Sequence, residues 1–595
     1  MSKTDFPFDF DALTAHRKRT RRELLADGTK RIKKNIAVLG GSTTNDFIKT
    51  LEIFLLSEGI EPSFYESEYN RFWQDAMFEN AELKEFAPDI IYIHTSYRNI
   101  AKFLPSVEES EGEVQARLKE RFSYYEKMWK KLASEYSCPI IQNNFELPPY
   151  RLFGNRDSFD VHGGVRFINK LNQYFADYAR ENQGFFVSDI NYVSSCFGLD
   201  KWYDEQAWYM YKYACSLEAV PHVAYNLSHI IKSIFGKNKK LLALDLDNTL
   251  WGGVVGDDGV EGIEIGEETA TAECYKAFQE YVKKLKSIGI MLSVASKNDH
   301  ENAIAGLNHP DGVLRPEDFI VIKANWETKD RNLAATAAEM DLGVDSFVFA
   351  DDNPTERALV ERSIKGIAVP VMDNPAEYIK MIDRNGYFEV TSFSADDLKR
   401  NDMYKANVKR AELSTEFTDY TEYLLSLDMK AEIKPFSPVY MQRITQLTNK
   451  SNQFNLTTKR YTQPEIESAA SDGEHITLYG KLSDTFGDNG VVSVVIGKIN
   501  DNVCDIELWL MSCRVLKKNM EYAMLDTLVS ECKARGIDTI IGHYYPTAKN
   551  GMVKNLFGDF GFEKVSIDEN GNIEWKLSLE GYENKNSVIK VNTEE

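Results

Sequence analysis

The chain has 595 residues, which predicts about three or four domains because a single domain usually holds about 150 residues. Its 43% apolar and 12% aromatic content is enough for several ordinary cores, which excludes a disordered or fibrous chain. The 70 basic residues are outnumbered by 92 acidic ones, so the formal charge of −22 argues against general binding to nucleic acid or to anionic membranes.

The cysteines indicate a reducing compartment. There are seven of them, an odd number, and they include neither a CxxC pair nor a spacing typical of a zinc site. The sequence starts without an apolar signal segment, and it contains no apolar run long enough to cross a bilayer. We therefore expect a cytoplasmic protein.

Residues 1–34 form a polar, basic extension, predicted to be a solvated helix packed on the body or, alternatively, an arm that docks a phosphate or a partner. A buried strand at 35–39 follows and leads into Gly40-Gly41-Ser42-Thr43-Thr44. Further strands are predicted at 90–93, 139–141 and 184–187, with helical segments between them. This alternation predicts a parallel sheet within a first domain at 35–235.

The rest of the chain divides by pattern into a second α/β domain at 236–393, a helical connector at 394–430, an α+β domain at 431–580 and a polar tail at 581–595. The second domain has strands at 241–246, 291–295, 320–322 and 347–350, alternating with helices as in a doubly wound sheet. In the α+β domain we expect paired strands around 476–511 and a helix at about 517–534.

Acidic residues stand at the ends of two strands of the second domain. Asp245 and Asp247 are two residues apart in an extended segment, so both can face one crevice. Asp351 and Asp352 end another strand at the sheet edge where ligands of such folds bind. Carboxylates this close repel one another unless a cation lies between them. This edge therefore predicts a site for one Mg²⁺ ion and a phosphoryl group.

With Ser296 after one strand and Lys329 at the start of a helix, these acids resemble the four motifs of the haloacid dehalogenase superfamily over about 238–390. The resemblance implies that Asp245 is the nucleophile that accepts the phosphoryl group. It implies that Asp247 is the acid and base. The Gly-rich segment 251–259 leaves no room for a large cap, which favours bulky or protein-tethered substrates.

The resemblance also implies two sets of ligands. The implied metal ligands are Asp245, Asp247, Asp351 and Asp352, with the backbone carbonyl of Asp247 contributing. The implied substrate-binding residues in this domain are Ser296, Lys329, Thr249 and Asn298, with Lys323 as the alternative to Lys329.

A second candidate site is Ser512-Cys513-Arg514, at the end of a predicted strand. A following helix N-terminus and the Arg514 guanidinium would favour the thiolate of Cys513. The alternative is that Cys513 is a small core residue, which is the commoner role of a buried cysteine.

Longer segments around both sites resemble the FkbH-like family: residues 247–256, 350–357, 449–457, 483–490 and 509–514. The resemblance covers about 35–580. It implies an SGNH hydrolase-like domain with a flavodoxin-type sheet, a haloacid dehalogenase-like phosphatase domain of subfamily IIIC, and a GNAT-like acyltransferase domain. In the family, the three-carbon unit of 1,3-bisphosphoglycerate is loaded through an enzyme thioester onto the phosphopantetheine of an acyl carrier protein. Cys513 would be that thiol, with Arg514 and Asn550 as binding residues.

The sequence departs from these patterns in two places. After Ser42 no late Asp-x-x-His follows, so we expect a hydrolase-like domain without full hydrolase machinery. The segment 514–520 lacks both glycines of the GNAT pyrophosphate turn, and Lys517 and Lys518 are the residues available to replace its amides. His543 is either a base for thiolysis or a structural residue at a strand end.

We therefore predict a Mg²⁺-dependent phosphatase coupled to acyl transfer. Its partners would be a small phosphorylated three-carbon acid and an acyl carrier protein, with neither nucleic acid nor membrane. One alternative is a phosphatase for another sugar or acid phosphate in surface-polysaccharide biosynthesis. Another is a scaffold that binds a phosphorylated partner without turnover.

Overall fold

The computed structural model describes residues 4–451, 453–547 and 549–592. The first three residues of the predicted basic extension and the last three of the predicted tail lie outside the described residues, as does Asn452 in one of the family-like segments. The chain forms two compact units, one ending at Ile234 and the other beginning at Phe235.

The first unit is built on a five-stranded sheet whose order is β2-β1-β3-β4-β5, and every pairing is parallel. This is the flavodoxin-type order. The strands are β1 (Ile32–Gly40), β2 (Ile60–Glu66), β3 (Ile90–His94), β4 (Ile140–Asn143) and β5 (Phe185–Ser188).

Helices connect these strands. The longer ones are α1 (Arg17–Ala26), α2 (Asn45–Ser57), α3 (Glu111–Glu135), α4 (Gly164–Glu181), α5 (Ile190–Phe197) and α6 (Val220–Ile234). Shorter helices span Phe10–Leu13, Phe72–Met77, Ala81–Phe86, Tyr97–Ile100, Leu199–Trp202 and Glu205–Tyr211. In the basic extension, Arg17 and Arg21 of α1 form ion pairs of 3.0 and 2.8 Å with Asp46 and Glu52 of α2. The helix α1 of the extension is therefore packed on α2.

The second unit begins with a four-stranded parallel sheet in the order β8-β7-β6-β9. Its strands are β6 (Leu241–Leu244), β7 (Met291–Ser296), β8 (Val321–Ala324) and β9 (Phe347–Ala350). Its helices are α7 (Ala270–Ser287), α8 (His300–Leu307), α9 (Lys329–Glu339) and α10 (Pro354–Ser363), with shorter ones at Val255–Asp258 and Tyr378–Arg384. The strand order reverses at β6, which lies between β7 and β9. A ligand crevice is expected where the order reverses.

The remainder of the second unit is an α+β arrangement on a nine-stranded mixed sheet, with β16-β17-β15-β14-β13-β12-β10-β18 in order and β11 beside β14. The strands are β10 (Lys430–Lys434), β11 (Phe454–Asn455), β12 (His475–Asp484), β13 (Gly487–Asn500), β14 (Val503–Met511), β15 (Thr539–Tyr544), β16 (Glu563–Ile567), β17 (Ile573–Ser578) and β18 (Lys590–Asn592). The helices are α11 (Arg400–Ser414), α12 (Met441–Lys450), α13 (Gln463–Ser471) and α14 (Met520–Ala534), with shorter ones at Ala395–Leu398, Tyr420–Ser426 and Leu556–Asp559.

The connecting helix α11 packs against the four-stranded sheet and also contacts the α+β part of this unit. Its Tyr404 is buried in the hydrophobic core of the four-stranded sheet, in the same cluster as Leu241 and Phe347. The predicted fold class, two parallel α/β sheets followed by an α+β domain, is confirmed. Among the described residues, no helix combines the length and the apolar character needed to cross a membrane.

Candidate active site

Three carboxylates converge beyond the carboxyl ends of the neighbouring strands β6 and β9. Asp245, Asp351 and Asp352 each offer one oxygen, and these oxygens lie within 4.8 Å of one another. Asp245 and Asp351 are buried, and Oδ1 of Asp245 is shielded from solvent without a hydrogen-bond partner. A buried oxygen without a donor, next to two other carboxylates, fits a hard divalent cation, which prefers oxygen ligands.

Lys329 supplies the positive charge of this cluster. It is the first residue of α9, and its Nζ lies 2.8 Å from Oδ2 of Asp245 and 2.5 Å from Oδ2 of Asp351. Burial opposes the ammonium form, but these two carboxylates outweigh it and raise the pKa of Lys329. Burial, and then the Asp245 charge, raises the pKa of Asp351 to about 6. The alternative lysine, Lys323, instead forms an ion pair with Glu339.

The side chain of Asp247 lies outside this group of three. Its Oδ1 accepts hydrogen bonds from the indole Nε1 of Trp251 at 2.9 Å and from the backbone N of Val255 at 3.0 Å. Its Oδ2 accepts one from Nδ2 of Asn298 at 3.0 Å. Burial raises the pKa of Asp247, although the hydrogen bonds from Val255 and Trp251 oppose it. The carboxylate of Asp247 is thus held by protein donors at both oxygens.

The turn after Asp247 is fixed by three hydrogen bonds. Asn248 adopts a left-handed conformation with φ of 54°, which asparagine tolerates better than most residues. Its Oδ1 accepts from the backbone N of Gly253 at 3.0 Å. Its carbonyl oxygen accepts from the hydroxyls of Tyr378 and Tyr275 at 3.0 and 3.3 Å. The sequence offered no sign that these two tyrosines, which lie far along the chain, support the Asp247 turn.

The other predicted ligands of this site lie at the same sheet edge. Ser296 is the buried last residue of β7, and Asn298 follows it and contacts Asp247. Thr249 is buried, and its Oγ1 accepts a hydrogen bond of 3.2 Å from the backbone N of Asp352. Arg357, which was not among the predicted site residues, donates from Nη1 to the carbonyls of residues 351 and 352 at 2.8 and 2.7 Å.

Cys513 lies in a different part of the second unit. It begins the short turn Cys513–Val515 after β14, it is half-buried, and its Sγ lies 3.6 Å from the hydroxyl of Tyr404. Burial, and then the neighbouring Cys513, raises the pKa of Tyr404 well above its ordinary value. The phenol therefore stays neutral and can donate a hydrogen bond to the sulfur.

The helix expected directly after Cys513 begins later than predicted. Lys517 and Asn519 have φ values of 64° and 61°, a left-handed conformation that interrupts the helix, and α14 starts at Met520. The first α-helix after Cys513 therefore begins seven residues further along the chain. Arg514 is buried and directs its Nε to Oγ of Ser512 at 3.2 Å, while its Nη1 contacts Sδ of Met403.

Asn550 is engaged within the protein, which differs from its predicted role as a substrate-binding residue. It is fully buried, and its Nδ2 donates to the carbonyls of Asn455 and Tyr545, both at 2.9 Å. Its Oδ1 accepts from the backbone N of Thr547 at 2.7 Å. A buried amide must satisfy its donors and acceptor, and here neighbouring chain segments do so.

His543 and Lys518 also have partners inside the protein. Nε2 of His543 lies 2.8 Å from Oδ1 of Asp505, and this hydrogen bond raises the pKa of His543. Nζ of Lys518 lies 3.4 Å from Oδ2 of the buried Asp484, whose Oδ1 pairs with Arg410 at 2.6 Å. Burial, and then the Arg410 charge, lowers the pKa of Lys518 to about 8. Lys518 is therefore an interior residue, paired with Asp484, and does not replace the amides of an open pyrophosphate turn.

In the first unit, Ser42 lies in the turn after β1 and is buried. Its Oγ has no hydrogen-bond partner, so no base is positioned to take its proton. Asn143 and Asn144 are used in packing: Oδ1 of Asn143 accepts from the backbone N of Thr95, and Nδ2 of Asn144 donates to Asp189, both at 2.8 Å. Within the part of the chain that the structure describes, the hydroxyl of Ser42 therefore has no histidine hydrogen-bonded to it.

Residues 35–232 match the family model described as FkbH, N-terminal domain. A solved structure of the N-terminal part of BF1531 from Bacteroides fragilis, described as containing a phosphatase domain and complexed with Mg, is 28% identical with a TM-score of 0.59. It covers 63% of this chain, and the match spans 99% of that chain.

Two acetyltransferase structures each cover 25% of this chain. The ribosomal-protein-S18-alanine N-acetyltransferase of Escherichia coli is 12% identical with a TM-score of 0.21, matched over 94% of its length. The PaiA N-acetyltransferase of Thermoplasma acidophilum, in complex with coenzyme A, is 15% identical with a TM-score of 0.19, matched over 99%. No curated protein matches the sequence. The chain is thus similar to FkbH over residues 35–232 and, over 63% of its length, to a solved protein described as containing a phosphatase domain.

Proposed function

We propose that the second unit carries a Mg²⁺-dependent phosphatase in which Asp245 takes the phosphoryl group of the substrate. The observation that carries this proposal is the buried, unpartnered Oδ1 of Asp245, next to Lys329 and two further carboxylates. Four acids and one lysine lie at this sheet edge, so negative charge is in excess. A bound cation would offset that excess.

Asp245, Asp351 and Asp352 would hold the ion, in keeping with the Mg in the BF1531 structure. When bound, Mg²⁺ supplies electrostatic stabilisation of the charge on the transferred phosphoryl group. Lys329, which is paired with Asp245, and the hydroxyl of Ser296, at the end of β7, would donate to phosphoryl oxygens.

The protein groups can carry out two successive transfers. A carboxylate oxygen of Asp245 attacks phosphorus, the bond from phosphorus to the leaving oxygen breaks, and the carboxyl group of Asp247 gives that oxygen its proton. Asp247, now a carboxylate, then takes a proton from a water molecule that attacks the aspartyl phosphate. Inorganic phosphate leaves, and Asp245 and protonated Asp247 are restored. Burial of Asp247 favours its protonated form, as the first transfer requires.

We further propose that Cys513 accepts the acyl group of a phosphorylated three-carbon acid, with 1,3-bisphosphoglycerate as donor. The thiolate would attack the carbonyl carbon of the acyl phosphate and displace the C1 phosphate, forming a 3-phosphoglyceryl thioester. The Asp245 site would then hydrolyse the remaining C3 phosphate ester, leaving a glyceryl thioester. The phosphopantetheine thiol of an acyl carrier protein would then attack the thioester and release Cys513. The half-burial of Cys513, its contact with Tyr404 and the match of residues 35–232 to the FkbH model support this step.

A narrower function, a phosphatase for another sugar or acid phosphate, is favoured by one observation. Asn550, implied to be a binding residue, and Lys518, available to replace the amides of the pyrophosphate turn, are both engaged inside the protein. In that case Cys513 would play no part in turnover.

The phosphatase proposal is tested by Asp245→Asn, which should abolish release of inorganic phosphate. Asp311→Asn is the matched control, because this acid is exposed and lies outside the three-carboxylate group, and it should retain activity. Phosphate release by Asp245→Asn at the parent rate would remove the assignment.

The acyl-transfer proposal has its own test. After incubation with 1,3-bisphosphoglycerate, intact-protein mass spectrometry should show one glyceryl adduct that is absent in Cys513→Ala. Cys196→Ala, which removes an exposed thiol of the first unit, should keep the adduct. An unmodified parent protein would favour the narrower function.

A further inference from the structure

We propose that Trp251 is a positioning residue for proton transfer: its indole N–H holds the carboxyl group of Asp247 in the orientation that protonates the leaving oxygen. The inference rests on the proposed phosphatase function, and it adds a residue that acts through Asp247 without touching the substrate. It predicts that Trp251 matters most for substrates whose leaving group needs a proton.

The hydrogen bonds of Asp247 fix the orientation of its carboxyl group. Rotation of this carboxyl group about its last side-chain bond would break bonds at both oxygens, from Trp251 and Val255 on Oδ1 and from Asn298 on Oδ2. These donors also keep the carboxylate apart from the group formed by Asp245, Asp351 and Asp352. Asp247 is therefore oriented by the protein and remains available for proton transfer.

The indole is itself held rigidly. Trp251 is 1% exposed, and its ring lies against Gly306 of α8. A Cβ at position 306 would come within 2.8 Å of Cη2 of Trp251, so only glycine leaves room for the ring there. Because the ring is packed in this way, the core sets the direction of its N–H bond. The N–H bond in turn fixes the orientation of the Asp247 carboxyl group.

The expected effect depends on the leaving group. A nitrophenolate leaves without a proton, so phosphoryl transfer to Asp245 from 4-nitrophenyl phosphate needs Asp247 little. An alkoxide is a poor leaving group, so transfer from glycerol phosphate requires proton donation in the same step. The ratio kcat/KM reports the steps up to departure of the leaving group and therefore isolates this difference.

The test is Trp251→Phe, which keeps an aromatic ring but removes the N–H donor. We expect kcat/KM for glycerol phosphate to fall about tenfold or more, and that for 4-nitrophenyl phosphate to change less than about threefold. Asp247→Asn should show the same selectivity, and adding Trp251→Phe to it should cause no further selective loss. Equal losses on both substrates, or an additive effect in the double variant, would overturn the inference.

Trp326→Phe is the matched control. Its indole Nε1 also donates to an aspartate, Oδ1 of Asp299 at 2.9 Å, but Trp326 is exposed and does not contact Asp247. It should show no selective loss on glycerol phosphate. A selective loss in Trp326→Phe equal to that in Trp251→Phe would also contradict the inference.

A measurement without substrate completes the test. In protein labelled with ¹⁵N-tryptophan, the indole signal that disappears in Trp251→Phe should shift in Asp247→Asn, because the carboxylate acceptor has been replaced. An unshifted signal would contradict the hydrogen bond. Retained activity in Asp245→Asn would remove the proposed function as a whole, so the two failures are distinguishable.

Discussion

The sulfur of Cys513, at the end of β14, lies 3.6 Å from the hydroxyl of Tyr404, and the ring of Tyr404 packs in the core of the four-stranded sheet. A single residue of α11 thus contacts both the core of the four-stranded sheet and the candidate acyl-accepting thiol. This contact joins residues 109 positions apart in the chain. The packing of the Tyr404 ring in the core of the four-stranded sheet therefore fixes the position of the hydroxyl next to the thiol.

Tyr404→Phe should make Cys513 less reactive. The neutral phenol can donate a hydrogen bond to the sulfur, which stabilises the thiolate, the nucleophilic form. We expect alkylation of Cys513 by iodoacetamide at neutral pH to slow about fivefold, measured by mass spectrometry resolved for each cysteine. Alkylation of the exposed Cys196 in the first unit should be unchanged and serves as the internal reference.

Tyr423→Phe is the control for loss of a buried hydroxyl in the same unit. The Tyr423 hydroxyl donates to the carbonyl of Arg410 at 3.2 Å, away from the sulfur. It should leave Cys513 alkylation unchanged. Equal rates in Tyr404→Phe and the parent protein would show that the hydroxyl has no influence on the thiol.

Because burial lowers the pKa of Lys518, we expect the free energy of unfolding to depend on pH. Its folded pKa of about 8 is below its ordinary value of 10.5, so the folded protein binds fewer protons between these values and its stability rises with pH there. The cost of burying the ammonium, roughly 3 kcal/mol, is fully present below about pH 8 and is relieved by about pH 10.5.

Lys518→Met tests this dependence. At neutral pH the variant should be more stable than the parent, because Asp484 keeps its 2.6 Å pair with Arg410 while the buried ammonium is gone. The difference in free energy of unfolding, from urea denaturation followed by circular dichroism, should shrink as the pH rises from 8 towards 10.5. A difference that stays constant over this interval would contradict the assigned cause.

Mg²⁺ should stabilise the folded protein. An ion that binds only the folded state contributes about 3 kcal/mol when its free concentration is about 100 times its Kd. We expect a higher thermal midpoint on adding Mg²⁺, and no such shift in Asp351→Asn, which removes one of the three convergent carboxylates. The exposed-site variant Asp311→Asn should respond as the parent does. A parent protein insensitive to Mg²⁺ would argue against the cation site.

The sheet edge that carries the carboxylates was predictable from the sequence. The short apolar runs at Leu241–Leu244 and Phe347–Ala350 are typical of fully buried parallel strands, and acids follow each of them directly. Because parallel strands end at one edge, Asp245 and Asp351 could be expected to meet there. The edge strand Ile60–Glu66 was missed, since Pro62 and three polar residues hide its pattern.

The supporting contacts were not predictable in the same way. Helix periodicity can indicate that Tyr404 is buried, but it does not say that the hydroxyl meets Cys513. The indole bond of Trp251 to Asp247 depends on the space left at Gly306, which only the packed structure shows. The role of Asn550 as a binding residue was implied by the family resemblance alone. Its amide instead satisfies buried backbone groups.

The central claim is that Asp245 becomes phosphorylated during turnover. The most direct measurement is acid quenching during steady state with Mg²⁺ and 4-nitrophenyl phosphate, followed by peptide mass mapping. We predict one phosphoryl group on the peptide that contains Asp245, more of it in Asp247→Asn because water attack is slowed, and none in Asp245→Asn. Continued phosphate release with Asp245 unmodified, and undiminished release in Asp245→Asn, would contradict the account.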